Sequence, residues 1–410
     1  MAPPRIAYVL LWFPKPSETF IFLEVVNLRR MGLDLRIFTI YGALNRDFST
    51  EMRALAPQVE RLGLSALPFH WKDFLYWWKR RPEVVRRLWR TVLPGRWSHP
   101  EREGESLWGV LCGLHLARRF QEEKVTHIHA PWACGPASAA WAASQLTGIP
   151  YSFTGRAHDV FTPDSLLPQK VRDAVLVRGE SRAALQPLLS LGGRPTSKFR
   201  LTYNGMPLST AGLAPVKMQP PYRLLALGRF VATKGFNILI EAGKILKAGG
   251  IDFHLTLAGS GPTERQLKHL VRKLGLASQI SFPGFISHDR VVELFQGTDI
   301  FIMPSIVQAS GDRDGLPTVI LEALSQRVPV IASDVGGIGE VIEDGITGFL
   351  IPQKDPPALA GAVRRMIRDR DAALAMAERG LARVQKDFDP DTNHRQVLEL
   401  FQGEEAIPPS

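Results

Sequence analysis

Four charged residues stand where they could do chemistry. Arg229 and Lys234 share one short stretch, Gly-Arg-Phe-Val-Ala-Thr-Lys-Gly over 228–235, directly after the apolar run 222–227. Two cations in a loop that follows a strand can bracket a diphosphate, arginine as a two-pronged donor and lysine as a point charge. Further along, Asp314 and Glu322 frame the residues Gly315, Leu316, Pro317 and Thr318. Glycine and proline open the turn there, and proline costs little in a first helical turn. Val319, Ile320, Ala323 and Leu324 then repeat at helical spacing. A helix start presents free backbone N–H groups and partial positive charge, which suit an anion. Carboxylates accept hydrogen bonds from the hydroxyls of a ribose or a sugar. Anion donors beside hydroxyl acceptors point to a nucleotide sugar.

The elements that must carry these residues alternate strand and helix. Apolar runs at 5–11, 35–40, 125–130, 151–154, 173–178 and 199–203 read as strands of a first half. Those at 222–228, 254–258, 280–285, 299–304, 328–332 and 348–352 read as strands of a second. The proline-rich stretch 212–221 reads as a linker. Residues 404–410 read as a disordered tail. With 410 residues the chain can bury two full cores. Two cysteines, Cys112 and Cys134, make no disulfide framework, and a reduced cytosol fits them. No apolar run approaches the ~18 residues of a membrane span, and the start carries no signal-peptide core. A lone Gly-x-Gly at 259–261 lacks the third glycine of the dinucleotide fingerprint, because Glu264 stands in its place. Asp312-Arg313-Asp314 spells a metal-binding triplet, but no other ligand cluster is in reach by spacing, so it reads as non-metal.

The net charge of +10 is local. Residues 68–97 hold five of the nine tryptophans, and eight Lys or Arg against Asp73 and Glu83 leave +6 there. A basic amphipathic helix with Trp and Leu on its other face fits an anionic membrane surface. The competing reading is a helical insertion whose aromatics pack on the body while its arginines are solvated. Nucleic acid is disfavoured, since no recognised binding motif accompanies the patch.

The motifs Gly-Arg-x4-Lys-Gly and Asp314-x7-Glu322 resemble those of the retaining glycosyltransferases of family 4, where the first acid is a glutamate. The Ala-Gly-Ser-Gly-Pro loop at 258–262, with Gly261, matches that family's loop near the nucleotide, and Ile286 lies about where it holds the base. Tyr203-Asn204-Gly205 resembles its domain-junction turn. Arg156, His158 and Asp159 stand where the family often has His-x-x-Asp. Residues 12–20, with Ser17 placed to cap a helix or meet substrate, are similar to the start of the colanic acid and amylovoran exopolysaccharide enzymes. The resemblance implies an α/β protein of the GT-B fold, two Rossmann-like domains facing across a cleft. It divides the chain into an acceptor domain at 1–211, a nucleotide-sugar domain at 212–386, and a segment at 387–410 that returns to the first. It also implies retaining, metal-independent transfer from a UDP- or GDP-sugar to a hydroxyl, with no cofactor. In that scheme Arg229 and Lys234 take the diphosphate, Glu322 the ribose and Asp314 the donor sugar, while Arg156, His158 and Asp159 face the reacting centre from the other domain. A lipid-linked saccharide acceptor would place the enzyme on the inner face of the cytoplasmic membrane. Two other readings stay open: a nucleotide-sugar epimerase of the same fold, and an inactive binding subunit.

Overall fold

The computed structural model describes residues 4–402 except 17, 44–47, 64–66, 94–98, 193–196, 207–215, 217 and 287. Ser17, half of the expected linker and the expected tail at 404–410 therefore lie outside the described residues. The chain forms two compact units, residues 1–205 with 390–410, and residues 206–389. These divisions fall at 205/206 and 389/390, against 211/212 and 386/387 from the sequence.

The first unit is built on strands β1 (Arg5–Leu10), β2 (Asp34–Thr39), β3 (Val59–Arg61), β4 (His127–Ala130), β5 (Tyr151–Gly155), β6 (Leu176–Gly179) and β7 (Phe199–Leu201). They form one sheet in the order β3-β2-β1-β4-β5-β6-β7, and every pairing is parallel. Ile6, Ala7, Tyr8, Val9 and Leu10 are wholly buried, as the apolar run of a central parallel strand requires. The sequence places the start of β6 at Asp173. The residue instead ends the helix Leu167–Asp173, where its carboxylate accepts the Trp141 indole N–H at 2.8 Å and the Gln169 amide at 2.7 Å. The last helix, Pro390–Gln402, belongs to this unit. Arg30 pairs with Asp391 at 2.6 Å, and the Phe401 ring lies 6.1 Å from Tyr8 and 5.1 Å from His129.

The second unit holds β8 (Tyr222–Leu227), β9 (Phe253–Ala258), β10 (Ile280–Gly284), β11 (Ile300–Met303), β12 (Val330–Ser333) and β13 (Phe349–Ile351). Their order is β10-β9-β8-β11-β12-β13, again all parallel. In both sheets the chain reverses its direction of travel beside the first strand, between β1 and β4 and between β8 and β11. Open parallel sheets bind ligands at such a reversal, outside the carboxyl ends of the strands. The loops after β8 and β11 flank that point in the second unit, and they carry Arg229, Lys234 and Asp314.

A charged network runs through the first unit's core. Arg178 meets Glu24 at 2.5 Å, with both side chains 1% exposed, and the Tyr8 hydroxyl donates to Glu24 at 3.1 Å. Burial pushes the Glu24 carboxyl up, but the Arg178 and Arg156 guanidiniums outweigh it and hold the group at about 2. Its unfolded value is about 4.3. The stability it contributes is thus present above about pH 4.3 and is lost as pH falls through about 2. Glu24→Gln leaves Arg178 buried without its counter-charge and should cost the first unit about 3–5 kcal/mol at neutral pH. Urea melts at neutral and acidic pH should also show a shallower loss of stability toward acid than in the parent.

Candidate functional site

The loop 228–235 leaves β8 and folds into a single 3-10 turn, Ala232–Lys234, before the helix Phe236–Ala248 begins. Gly235 makes this turn possible. Its φ is +61°, and a Cβ there would sit 2.0 Å from the Pro304 carbonyl oxygen. The Ile306 N–H donates to the Thr233 carbonyl at 2.8 Å. The two loops are thereby fastened to each other across the reversal point. The Phe230 N–H donates to the Ser260 carbonyl at 2.8 Å, and the Thr263 N–H to the Phe230 carbonyl at 3.1 Å. Gly261 therefore lies against the same loop.

Lys234 and Asp314 come together: Nζ is 3.0 Å from Oδ1, and both side chains are about 15% exposed. The other oxygen of Asp314 accepts the hydroxyl of Ser305, at 2.5 Å. Ser305 escapes a sequence reading based on motifs. Its place just past the end of β11 is the one signal that could have found it. The Arg229 side chain is exposed, with no hydrogen bond or ion pair among the described residues. Its guanidinium is open to an incoming anion.

The helix Thr318–Ser325 starts at Pro317 with no side chain capping it. Glu322 lies in its second turn, half-buried. Behind it Gly336 closes the site. Its φ is +60°, and a Cβ would stand 2.1 Å from the Asp314 carbonyl and 2.7 Å from that of Gly315. The Gly337 N–H donates to the Gly315 carbonyl at 2.7 Å. Gly315 and Pro317 are buried, Leu316 and Thr318 half-buried. Ile286 is half-buried beside Phe285, which is 71% exposed. A cavity of about 650 Å³ lies alongside, lined by Val231, Phe236, Ile306 and the helix Glu264–Lys273, but Arg229, Lys234, Asp314 and Glu322 do not line it.

In the first unit the expected triplet divides. Arg156 and Asp159, expected at the reacting centre, are buried, at 1% and 2% exposure. The Arg156 guanidinium meets Glu180 at 2.6 Å, Asn204 at 2.9 Å and the Pro131 carbonyl at 2.7 Å. It also lies 4.6 Å from the Phe20 ring centre. Asp159 accepts the N–H groups of Arg156 at 2.9 Å and Ala133 at 2.6 Å. Burial raises its carboxyl to about 6. These two residues clamp the loops after β4 and β5 to each other, and neither side chain is left open to solvent. His158 is half-buried, its ring 5.1 Å from that of Trp132.

Comparison with known proteins follows the same lines. A family model described as "Glycosyl transferases group 1" matches residues 215–383. The putative colanic acid biosynthesis glycosyltransferase WcaL of Salmonella typhimurium is 32% identical over 97% of this chain and 99% of its own length. The amylovoran biosynthesis glycosyltransferase AmsK of Erwinia amylovora is 25% identical over 97% of this chain and 99% of its own. Among solved structures, Anabaena Alr3699/HepE in complex with UDP superposes with a TM-score of 0.71 at 18% identity, covering 97% of this chain and all of that one. The fold is GT-B, with two Rossmann-like domains.

Replacing Gly336 by alanine forces a methyl group onto the Asp314 backbone. It should lower the melting temperature by several degrees, at roughly 2–4 °C per kcal/mol for a domain of this size. Gly361→Ala, where an added Cβ meets nothing within 4 Å, is the control and should melt no lower than the parent.

Proposed function

The chain belongs to the group 1 glycosyltransferases, and from that premise we propose that it moves a sugar from UDP or GDP to a hydroxyl of a lipid-linked saccharide. Membership and the named relatives make it a transferase of the exopolysaccharide-building type. The finer reading is that transfer proceeds with retention, needs no metal, and takes place at the cytoplasmic face of the membrane, where the protein is peripheral. The observation that carries it is the pairing of Lys234 with Asp314 at 3.0 Å beside an open Arg229 and an uncapped helix start.

Breaking the bond from the anomeric carbon to the diphosphate puts negative charge on the leaving oxygens. Fixed cations and N–H groups aimed at that charge lower the barrier, since they need no reorganisation as it develops. Arg229 takes the diphosphate as a fork. Lys234, held in place by Asp314, takes it as a point charge, and the start of the helix Thr318–Ser325 supplies N–H groups. The carboxylate of Asp314 already serves Lys234 and Ser305, so its oxygens lie where donor-sugar hydroxyls would meet them. Glu322 accepts from the ribose, and Gly261 and Ile286 border the nucleotide. His158 is the acceptor-side group of the first unit, with Arg156 and Asp159 fixing its loop. A UDP complex of the Anabaena protein supports a uridine donor.

Lys234→Ala should lower kcat/KM on the order of 100-fold. A loss below about threefold would leave the leaving group's charge to other residues and reject the assignment. Activity measured after exhaustive chelation should match that in added magnesium; dependence on the metal would overturn the metal-free reading.

A further inference from the structure

The helical pair Leu67–Arg80 and Pro82–Val92 holds aromatic surface that its own folding does not use. Its inner face is already complete. Trp77 is 3% exposed and its indole N–H donates to the Leu114 carbonyl at 2.9 Å. Asp73 is buried and meets His115 and Arg118, each at 2.7 Å. Val85, Leu88 and Val92 are buried in the second helix. Yet Trp71, Leu75 and Trp78 stay 65%, 40% and 39% exposed, and Leu93, just past the second helix, 61%. Positions 71, 75 and 78 fall on one stripe of a helix.

Charge surrounds this ridge on one sign. The side chains of Lys72, Lys79, Arg81 and Arg90 are exposed, with no ion pair or hydrogen bond among the described residues. Arg86 lies 5.3 Å from the Trp78 ring centre and also pairs with Glu83. The two acids of the pair are thus answered, Asp73 inside and Glu83 by its neighbour, and the open cations have no counter-charge of their own. An exposed Trp and Leu ridge beside unpaired Lys and Arg matches the boundary between anionic headgroups and acyl chains. The rings disfavour nucleic acid as the occupant. Trp71, Phe74 and Trp78 stack on one another at 5.8 and 5.7 Å, with interplanar angles of 18° and 24°. The stack spends both faces of Phe74 and the inner faces of Trp71 and Trp78, so bases would find fewer open ring faces there than on free-standing aromatics.

We infer that this surface docks the protein on an anionic phospholipid bilayer, with Trp71, Leu75 and Trp78 entering the interface and Lys79, Arg81 and Arg90 meeting headgroups. The inference deepens the peripheral location proposed above and does not depend on the donor chemistry.

Flotation of the full chain with vesicles tests it. The protein should rise with phosphatidylglycerol-rich vesicles and stay behind with pure phosphatidylcholine. Lys79→Ala with Arg90→Ala should weaken binding about fivefold per charge removed. Trp71→Ala with Trp78→Ala should weaken it about tenfold or more. Both pairs should melt like the parent and keep its thermal shift with UDP or GDP, so failure here and failure of the donor reading give different results. No flotation of the parent, equal flotation of parent and variants, or tighter binding to a single-stranded RNA oligomer than to vesicles would each overturn it.

Discussion

An ammonium and a carboxylate 3.0 Å apart, on Lys234 and Asp314, join the two loops that leave the second sheet at its reversal point. Much else in that unit serves this contact. Parallel strands deliver the loops that follow them to one edge, and the reversal between β8 and β11 leaves a gap where two such loops can meet without crossing. Gly235 and Gly336 let backbone run against backbone on either side of the contact. The pair is also poised electrostatically. Asp314 answers the ammonium with a carboxylate, so Lys234 is not drawn into solvent. A cation held by its own counter-charge has little left to order when an anion meets it.

The first unit uses charge differently. Arg178 with Glu24, Arg156 with Glu180 and Lys170 with Asp164 are buried pairs, most of their side chains all but inaccessible. Such pairs are poor sources of net stability, because desolvation offsets their attraction. Their geometric effect is clearer. Each ties a loop or helix at the carboxyl edge to a strand or neighbouring loop. Arg156 joins the loops after β4, β5 and β6 and the turn at Asn204 through three different partners. A rigid edge of this kind is what a substrate-facing loop needs in order to hold one conformation.

How much of this was legible in the sequence depended on punctuation. Arg229 and Lys234 sit between glycines at a strand end, and Asp314 stands before a glycine and a proline at a helix start. Those local signals survive without the fold. The parallel sheets were legible too, as repeated apolar runs separated by helical patterns. Ser305 was not, because a single serine after a strand looks like any other. The burial of Arg156 was hidden for a different reason. Its partners Glu180 and Asn204 lie 24 and 48 residues away, so an interior arginine and a substrate-facing one look identical in their local surroundings. The tryptophans of the basic stretch posed the same difficulty. Trp77 and Trp78 are neighbours, and only the packing against Leu114 decides which of them turns inward.

The helix Pro390–Gln402 lays Phe401 over Tyr8 and His129 in the heart of a unit whose other strands and helices all come before residue 206. During synthesis on the ribosome, the first unit is translated early but stays unfinished, its last wall still unmade. The second unit is continuous in the chain, so it can complete itself first. The amino-terminal half must wait through that interval with part of its interior uncovered.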